Sequence, residues 1–203
     1  MARPRSDIAE RLRRAASMRF LKEGVDGASL RGIAADARTS IGMLYYYYPS
    51  KDELFFAVVE DAYGKVSADL AQALAPELPV EQRIERAYRR IAALSEQELV
   101  VLRLVLCEII KGTARLGRLV DRFQRGHLAL MAQLVADGLH DNTFDHTRHP
   151  LVVLMALLGI GGPPQIIRRF AGERVPFADA PAGETLSRAL VDVLLHGVAA
   201  REH

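Results

Sequence analysis

The sequence predicts an all-α fold, and three observations carry that prediction. Residues 28–51, ASLRGIAADARTSIGMLYYYYPSK, read as two short capped helices closed by a polar turn. Elsewhere, apolar residues recur three and four positions apart in one segment after another. The interruptions fall at Gly24, Pro49, Pro76 with Pro79, Gly112 with Gly117, and Pro163 with Pro164, residues that end or kink helices.

In the first of the paired helices Ser29 can take up a free backbone N–H as N-cap, and Leu30, Ile33, Ala34 and Ala37 share an apolar stripe. Arg38, Thr39 and Ser40 make the turn. Ser40 caps the second helix, where Ile41, Leu44, Tyr45 and Tyr48 take the spacing of a buried face. Neighbours on a helix differ by about 100°, so the four tyrosines divide: Tyr45 and Tyr48 are assigned to packing, Tyr46 and Tyr47 to the outside. Pro49 stops the helix because it lacks a donor and biases Tyr48 away from helical geometry. Helices this short bury too little surface alone. A third over residues 7–23, with Ile8, Leu12, Ala15, Ala16 and Phe20 inward and Gly24 as its stop, completes a helix-turn-helix whose second short helix is sized for a DNA major groove. Ahead of it, residues 1–6 read as a basic arm in which Arg3 and Arg5 can touch phosphate.

After Pro49, Ser50 caps a helix that opens with Asp52 and Glu53, where carboxylates suit the helix dipole. Its apolar side, from Leu54 to Leu74, implies a rod of about 38 Å to residue 75. Further helices are expected over residues 80–96, with Ile84, Ala87, Tyr88, Ile91 and Leu94 inward, and over 99–111, apolar enough to be central, with Cys107 buried. A single longer helix over 118–138 should bury Leu119, Phe123, Leu130, Leu134 and Val135. Residues 140–149 read as a polar loop, 150–171 as an apolar helix broken at Pro163–Pro164, 173–182 as a connector and 183–201 as a last helix. The last helix and the 150–171 segment together carry more apolar surface than a chain of this size needs. Pairing with a second copy through Leu151, Leu154, Leu158, Leu186, Leu190, Val193 and Leu194, with Val198 beyond, would cover it.

At 203 residues, half of them hydrophobic, the chain can form one compact unit or two small ones. The single Cys107 excludes a disulfide framework within the chain and fits a reducing cytoplasm. No N-terminal stretch combines the basic, apolar and small-residue parts of a signal peptide, and no apolar run of about 18 residues is expected, so neither export nor a membrane is indicated. The net charge of +2 is unevenly spread: residues 1–51 carry +5 and the remainder −3. A basic front suits docking on phosphates, although solvated helices also carry such charge. There is no Gly-rich phosphate loop, Gly-x-Ser-x-Gly elbow or His-Glu-x-x-His, hence no evidence of catalysis. His140, His146 and His149 with Asp141 and Asp145 lack a metal-ligand spacing, so neither metal nor cofactor is expected.

The chain resembles the TetR family of bacterial transcriptional regulators. The likeness rests on Ser29, Ile33-Ala34, Ser40, Gly42, Leu44-Tyr45, Tyr47-Tyr48, Pro49-Ser50-Lys51 and Glu53-Leu54, and upstream on Ile8, Ala16, Phe20 and Gly24. Past about residue 65 only size and the helical plan are similar. Three departures stand out. Arg38 occupies the turn position where the family usually has glycine, so either the turn is shaped differently or Arg38 is kept for a phosphate. Gly32 replaces a common capping-box carboxylate. Tyr47-Tyr48 replaces His-Phe, adding a hydroxyl that needs a partner if buried.

The resemblance implies a helix-turn-helix DNA-binding domain over residues 1–50 and a helical ligand-binding and dimerisation domain over 51–203. It also implies a homodimer, and a repressor released from a palindromic double-stranded operator by an unidentified small molecule. On the reading helix, Gly42 lets the backbone approach the duplex, Ile41 and Met43 suit thymine methyls, and Thr39, Ser40 and Tyr46 surround them. Tyr47, Lys51 and Arg31 suit phosphates, with Ser29 and Thr39 as hydroxyl donors. Tyr88, Leu102, Leu106, Glu108, Phe123, His127, Met131 and Met155 are candidates for an effector pocket because their helices flank the centre; Glu108 is either a paired core carboxylate or a ligand contact. Two rival readings are a helical small-molecule-binding protein or enzyme with a non-functional head, and a sequence-independent DNA architectural protein.

Overall fold

The computed structural model describes residues 5–171 and 181–197, among which there are eleven α-helices and no strand. In chain order they are α1 Arg5–Glu23, α2 Leu30–Asp36, α3 Ile41–Tyr47, α4 Lys51–Ala73, α5 Val80–Ala92, α6 Glu96–Lys111, α7 Leu116–Gln124, α8 His127–His140, α9 Pro150–Gly161, α10 Pro163–Ala171 and α11 Gly183–His196. Contacts divide the chain into two compact units. One runs up to Val66 and takes in Ser95–Asp121; the other comprises Ser67–Leu94 and the chain from Arg122 onward. Of the arm expected over residues 1–6, residues 1–4 with Arg3 lie outside the described residues and Arg5 opens α1; most of the connector and Val198 also lie outside them.

Serine hydroxyls start most helices of the first unit. Ser29 accepts from Gly32 N, Ser40 from Met43 N and Ser50 from Glu53 N, at 3.1–3.3 Å. Ser95 and Glu98 form a reciprocal capping box at the head of α6, satisfying two free donors at once. Gly24 and Gly112 follow α1 and α6 in the left-handed region that ends helices without strain. α1 packs on α2 and on α6, and α2 on α3. Leu12, Ala16 and Phe20 of α1 are fully buried with Ile33, Leu44, Leu54 and Phe55, and the Phe20 and Phe55 rings meet at 6.2 Å.

A buried arginine ties this unit together. The Arg115 guanidinium donates to Glu108 Oε2 at 2.7 Å, to Asp52 Oδ1 at 2.9 Å and to both Asp26 oxygens at 3.0 and 3.1 Å, and it sits 5.7 Å from the centre of the Phe55 ring. Burial works against its charge, but the hydrogen bonds to Glu108, Asp52 and Asp26 outweigh that and raise its pKa above the ordinary arginine value. Beside it, Arg118 pairs with Glu53 at 2.7 Å and lies over the Phe56 ring. Arg19 reaches from α1 to Asp36 at the end of α2 at 2.6 Å, and its guanidinium lies across Gly32: a Cβ on Gly32 would come 2.6 Å from Arg19 Cζ. A side chain at residue 32 would therefore have to displace this guanidinium from its present position.

In the second unit α5 packs on α11, α8 and α10, while α9 packs on α8, α10 and α11. Arg83 is buried and bonds Asp137 at 2.6 Å and the Leu74 carbonyl at 3.1 Å. Tyr88 donates to the Leu157 carbonyl at 2.9 Å, and its ring fills the space that a side chain on Gly161 would need. Under α11 lies a satisfied polar cluster: Gln165 donates to the carbonyls of Tyr88 and Gly161, and Ser187 donates to Gln165 Oε1 and the Gly183 carbonyl.

Several expectations are corrected here. The helix expected over 118–138 is two, because Gly126, a poor helix former, leaves helical geometry and serves as the N-cap of α8. His140 closes α8 instead of beginning the loop. Cys107 is exposed: α6 buries Leu99, Val101, Leu104, Val105 and Glu108 along one line, and Cys107 sits off it with Leu106, Ile109 and Ile110. The 150–170 stretch holds no uninterrupted apolar run of 18 residues, yet by length and composition it could cross a membrane: an 18-residue window in it has mean hydropathy 1.7, with 17% of that window buried within the chain. It is interrupted at Gly162, its Gln165 is buried among backbone carbonyls, and Arg169 bonds the Leu94 carbonyl.

Removal of the Arg115 charge leaves the buried Glu108 carboxylate with the Thr113 hydroxyl and, among the described residues, no cation, so Arg115→Leu should cost about 3–5 kcal/mol in urea denaturation. Adding Glu108→Leu to that variant should recover part of the loss.

Candidate nucleic-acid interface

α3 has two turns and one buried line. Leu44 is fully buried, and Tyr48, four residues on, is buried with φ −136° and ψ 98°, the extended geometry that the following proline favours. The Tyr48 hydroxyl, which needed a partner, donates to the Ala9 carbonyl at 3.3 Å and accepts from Arg13 at 3.2 Å. Arg13 is also paired with Asp61 of α4 at 3.0 Å, so the inner end of α3 is anchored to α1 and α4 together.

The outer side of α3 is open. Gly42 is exposed, and a Cβ placed on it would meet only Ser40 Oγ at 3.8 Å, an ordinary contact. Packing does not require glycine there, whereas close approach of a duplex backbone would use it. Ile41 and Met43 are half-buried to either side, Tyr46 is 68% exposed, and the Tyr47 ring meets Tyr46 edge-on at 5.2 Å. Tyr45, expected in the packing, is 51% exposed. Leu44 and Tyr48 already take the inward line, and Tyr45 stands about 100° from Leu44 around a helix too short to bury a second line.

The remaining expected contacts lie in the same unit. Ser29 and Arg31 are exposed near the start of α2; Thr39 is half-buried and Ser40 exposed before α3. Lys51 is half-buried and donates to the Asp26 carbonyl at 2.6 Å, so its ammonium is already held by the loop after α1. Arg38 was left with two alternatives. The structure places it in the left-handed region at φ 52°, at a cost on the order of 1–2 kcal/mol for a side-chain-bearing residue. The glycine-like turn is retained and the arginine is exposed on it. The sequence signal for this residue was its substitution of the usual glycine; for Tyr45 there was none.

The effector-pocket candidates are divided. Leu102, Leu106 and Glu108 belong to the first unit, where Leu106 is exposed and Glu108 is the paired core carboxylate, bonded to Arg115 and, at 2.6 Å, to Thr113. Tyr88, Phe123, His127, Met131 and Met155 belong to the second. Tyr88 and Met131 are buried; burial pushes the Tyr88 hydroxyl above its ordinary pKa. Phe123 and His127 are half-buried with rings 5.3 Å apart, and burial, then the Arg122 charge, holds the His127 imidazole below its usual pKa. Met155 is 64% exposed and so faces away from the core of its unit, on the turn of α9 that carries Leu151, Val152 and Leu158 outward. Of the residues expected at a subunit interface, Leu151 and Leu158 are exposed, while Leu154, Leu186, Leu190, Val193 and Leu194 are half-buried.

Residues 12–58 match the family model for bacterial regulatory proteins of the tetR family. Over 131 residues the chain is 36% identical to the HTH-type transcriptional repressor SCO4008 of Streptomyces coelicolor. The likeness to the tetR family is thus established for the helix-turn-helix segment, residues 12–58. The match spans 63% of this chain and 62% of the Streptomyces repressor, less than two thirds of that relative's length. Two solved structures share the fold along nearly the whole chain. The transcriptional regulator FadR from Bacillus subtilis, in complex with stearoyl-CoA, superimposes with a TM-score of 0.75 at 12% identity, covering 94% of this chain and 99% of that one. AibR, in complex with isovaleryl coenzyme A and operator DNA, does so with a TM-score of 0.70 at 15% identity, covering 93% and 98%.

The two sides of α3 should respond differently to truncation. Leu44→Ala should cost about 2–5 kcal/mol, whereas Tyr45→Ala should stay within about 0.5 kcal/mol of the parent in chemical denaturation.

Proposed function

We propose that this protein is a cytoplasmic, sequence-specific DNA-binding transcriptional regulator of the TetR family: a homodimeric repressor released from a near-palindromic operator by a small molecule. The observation that carries the reading is the open tip of α3, where an exposed glycine with no packing duty lies among Ser40, Tyr45 and Tyr46 on a helix whose inner line is anchored. α3 has no Arg, Asn or Gln to read a base with a fork. Apolar contact from Ile41 and Met43 with thymine methyls, and the shape of the duplex, would therefore carry much of the selectivity. Residues 1–50 serve as the reading head and residues 51–203 as the effector-binding and dimerisation part. In a dimer the two α3 helices would enter successive major grooves about 34–36 Å apart. Release from 99:1 to 1:99 requires the effector to prefer the released form by about 5.5 kcal/mol.

The reading is tested by selecting bound fragments from random duplex DNA with the full chain. A sequence preference of roughly 10³–10⁷-fold over scrambled duplex is expected, and equal affinity for both would leave only an architectural role. Gly42→Glu should abolish binding to the selected fragment with helicity unchanged; unaltered affinity would remove α3 from the interface.

The outward residues of α9 and the apolar side of α11 support pairing between copies. Leu151→Glu, at an exposed position, should convert the dimer to monomer in sedimentation. A variant that stays dimeric would place the subunit contact elsewhere.

A further inference from the structure

We propose that Arg14 and Arg38 form a phosphate clamp beside the recognition helix, a site for the duplex backbone in addition to the contacts α3 itself makes. This rests on the reading of the head as a DNA-binding module and adds a specific site to it. The two residues line one open depression of about 570 Å³, together with Asp7, Arg11, Ala15, Met18, Asp36 and Ala37. The carboxylates in it are already engaged: Asp7 pairs with Arg11 at 3.4 Å, and Asp36 is held by Arg19 at 2.6 Å. Arg11 is spent within the fold, donating to the Ala37 carbonyl at 2.7 Å and the Arg38 carbonyl at 3.4 Å, which pins the turn. Arg14 and Arg38 remain. Both are exposed, and among the described residues neither guanidinium has a hydrogen-bond or ion-pair partner.

The backbone supplies the second line of argument. Arg38 holds a left-handed conformation that glycine adopts freely, and among the described residues its guanidinium makes no hydrogen bond or ion pair that would offset the strain. Backbone bonds from Arg38 N to the Ala35 carbonyl and from Thr39 N to the Ala34 carbonyl hold the turn itself, so the conformation is fixed within the chain while the choice of an arginine there is not. Arg38 is two residues ahead of Ser40, the N-cap of α3, which is the end of a recognition helix that enters the groove. An extended arginine there is within reach of the phosphates that border the groove, and a guanidinium fork matches a phosphodiester oxygen pair.

The test compares Arg38→Gly, Arg38→Lys and Arg14→Ala in the full chain. Each is titrated against a fragment selected by the wild type and a scrambled duplex of equal length, across a range of salt. Arg38→Gly should raise the melting temperature by about 2–4 °C while lowering affinity for both duplexes by the same several-fold factor. It should also flatten the salt dependence by about one unit. Arg14→Ala should flatten the slope equally without the thermal gain, and Arg38→Lys should keep the slope. A lower melting temperature for Arg38→Gly, or affinity and slope unchanged in Arg38→Gly and Arg14→Ala, overturns the clamp. Loss confined to the selected fragment also overturns it, by making Arg38 a base reader. A wild type that binds neither duplex defeats the regulator reading instead.

Discussion

The hydrogen bonds of Arg115 are the constraint on which the head-bearing unit depends. Glu108 is buried on α6, and a carboxylate there is tolerable only with a cation against it. Arg115 meets that need and then uses its remaining donors on Asp52, at the start of α4, and Asp26, in the loop that follows α1. One side chain thereby joins the loop ahead of the reading pair, the helix after it, and α6. Lys51 reinforces the same junction by bonding the Asp26 carbonyl. Three helices of the head's length bury little by themselves, and the junction gives them a larger body to pack on.

Against that base, α3 is built to be fixed on one side and empty on the other. Its inner line consists of Leu44 and Tyr48, and the Tyr48 hydroxyl is satisfied from both directions by Ala9 and Arg13. What remains outside is a glycine, two tyrosine rings and a capping serine, with no charge on the helix itself. On the proposed reading, cationic contact with a duplex would come from the flanks, where Arg31, Arg38 and Arg14 stand exposed. In α2, the Arg19 guanidinium lies across the bare backbone of Gly32 on its way to Asp36, a bond between helices where the local cap is absent.

The second unit is organised by polar groups inside and apolar groups outside. Gln165 joins α10 to α5 through the Tyr88 carbonyl and to α9 through the Gly161 carbonyl, and its Oε1 lies 3.3 Å from the Ser187 hydroxyl of α11. The leucines that periodicity placed on one side of α11 are only half-buried, and the residue wholly enclosed is Ser187. Leu151, Val152, Met155 and Leu158 of α9, with Ile167 and Phe170 of α10, are left toward solvent. It is this apolar surface that the proposed pairing of copies would cover.

Local chemistry made much of this protein legible from its residues alone. Ser29, Ser40 and Ser50 start helices, Gly24 and Pro49 stop them, and i to i+4 spacing places Leu44 and Tyr48 inward, because caps, stops and helical phase act over a few residues. Tertiary structure decided the rest. Arg115 and Asp26 are 89 residues apart, and no spacing rule relates them. Glu108 could be a ligand contact or a core carboxylate until Arg115 arrived beside it. Tyr45 and Cys107 were assigned inward and are outward, because periodicity says which residues share a line but not how many lines a neighbouring element will cover. The left-handed turn at Arg38 likewise emerged only in three dimensions, since a backbone takes up strain when surrounding contacts dictate the path of the chain.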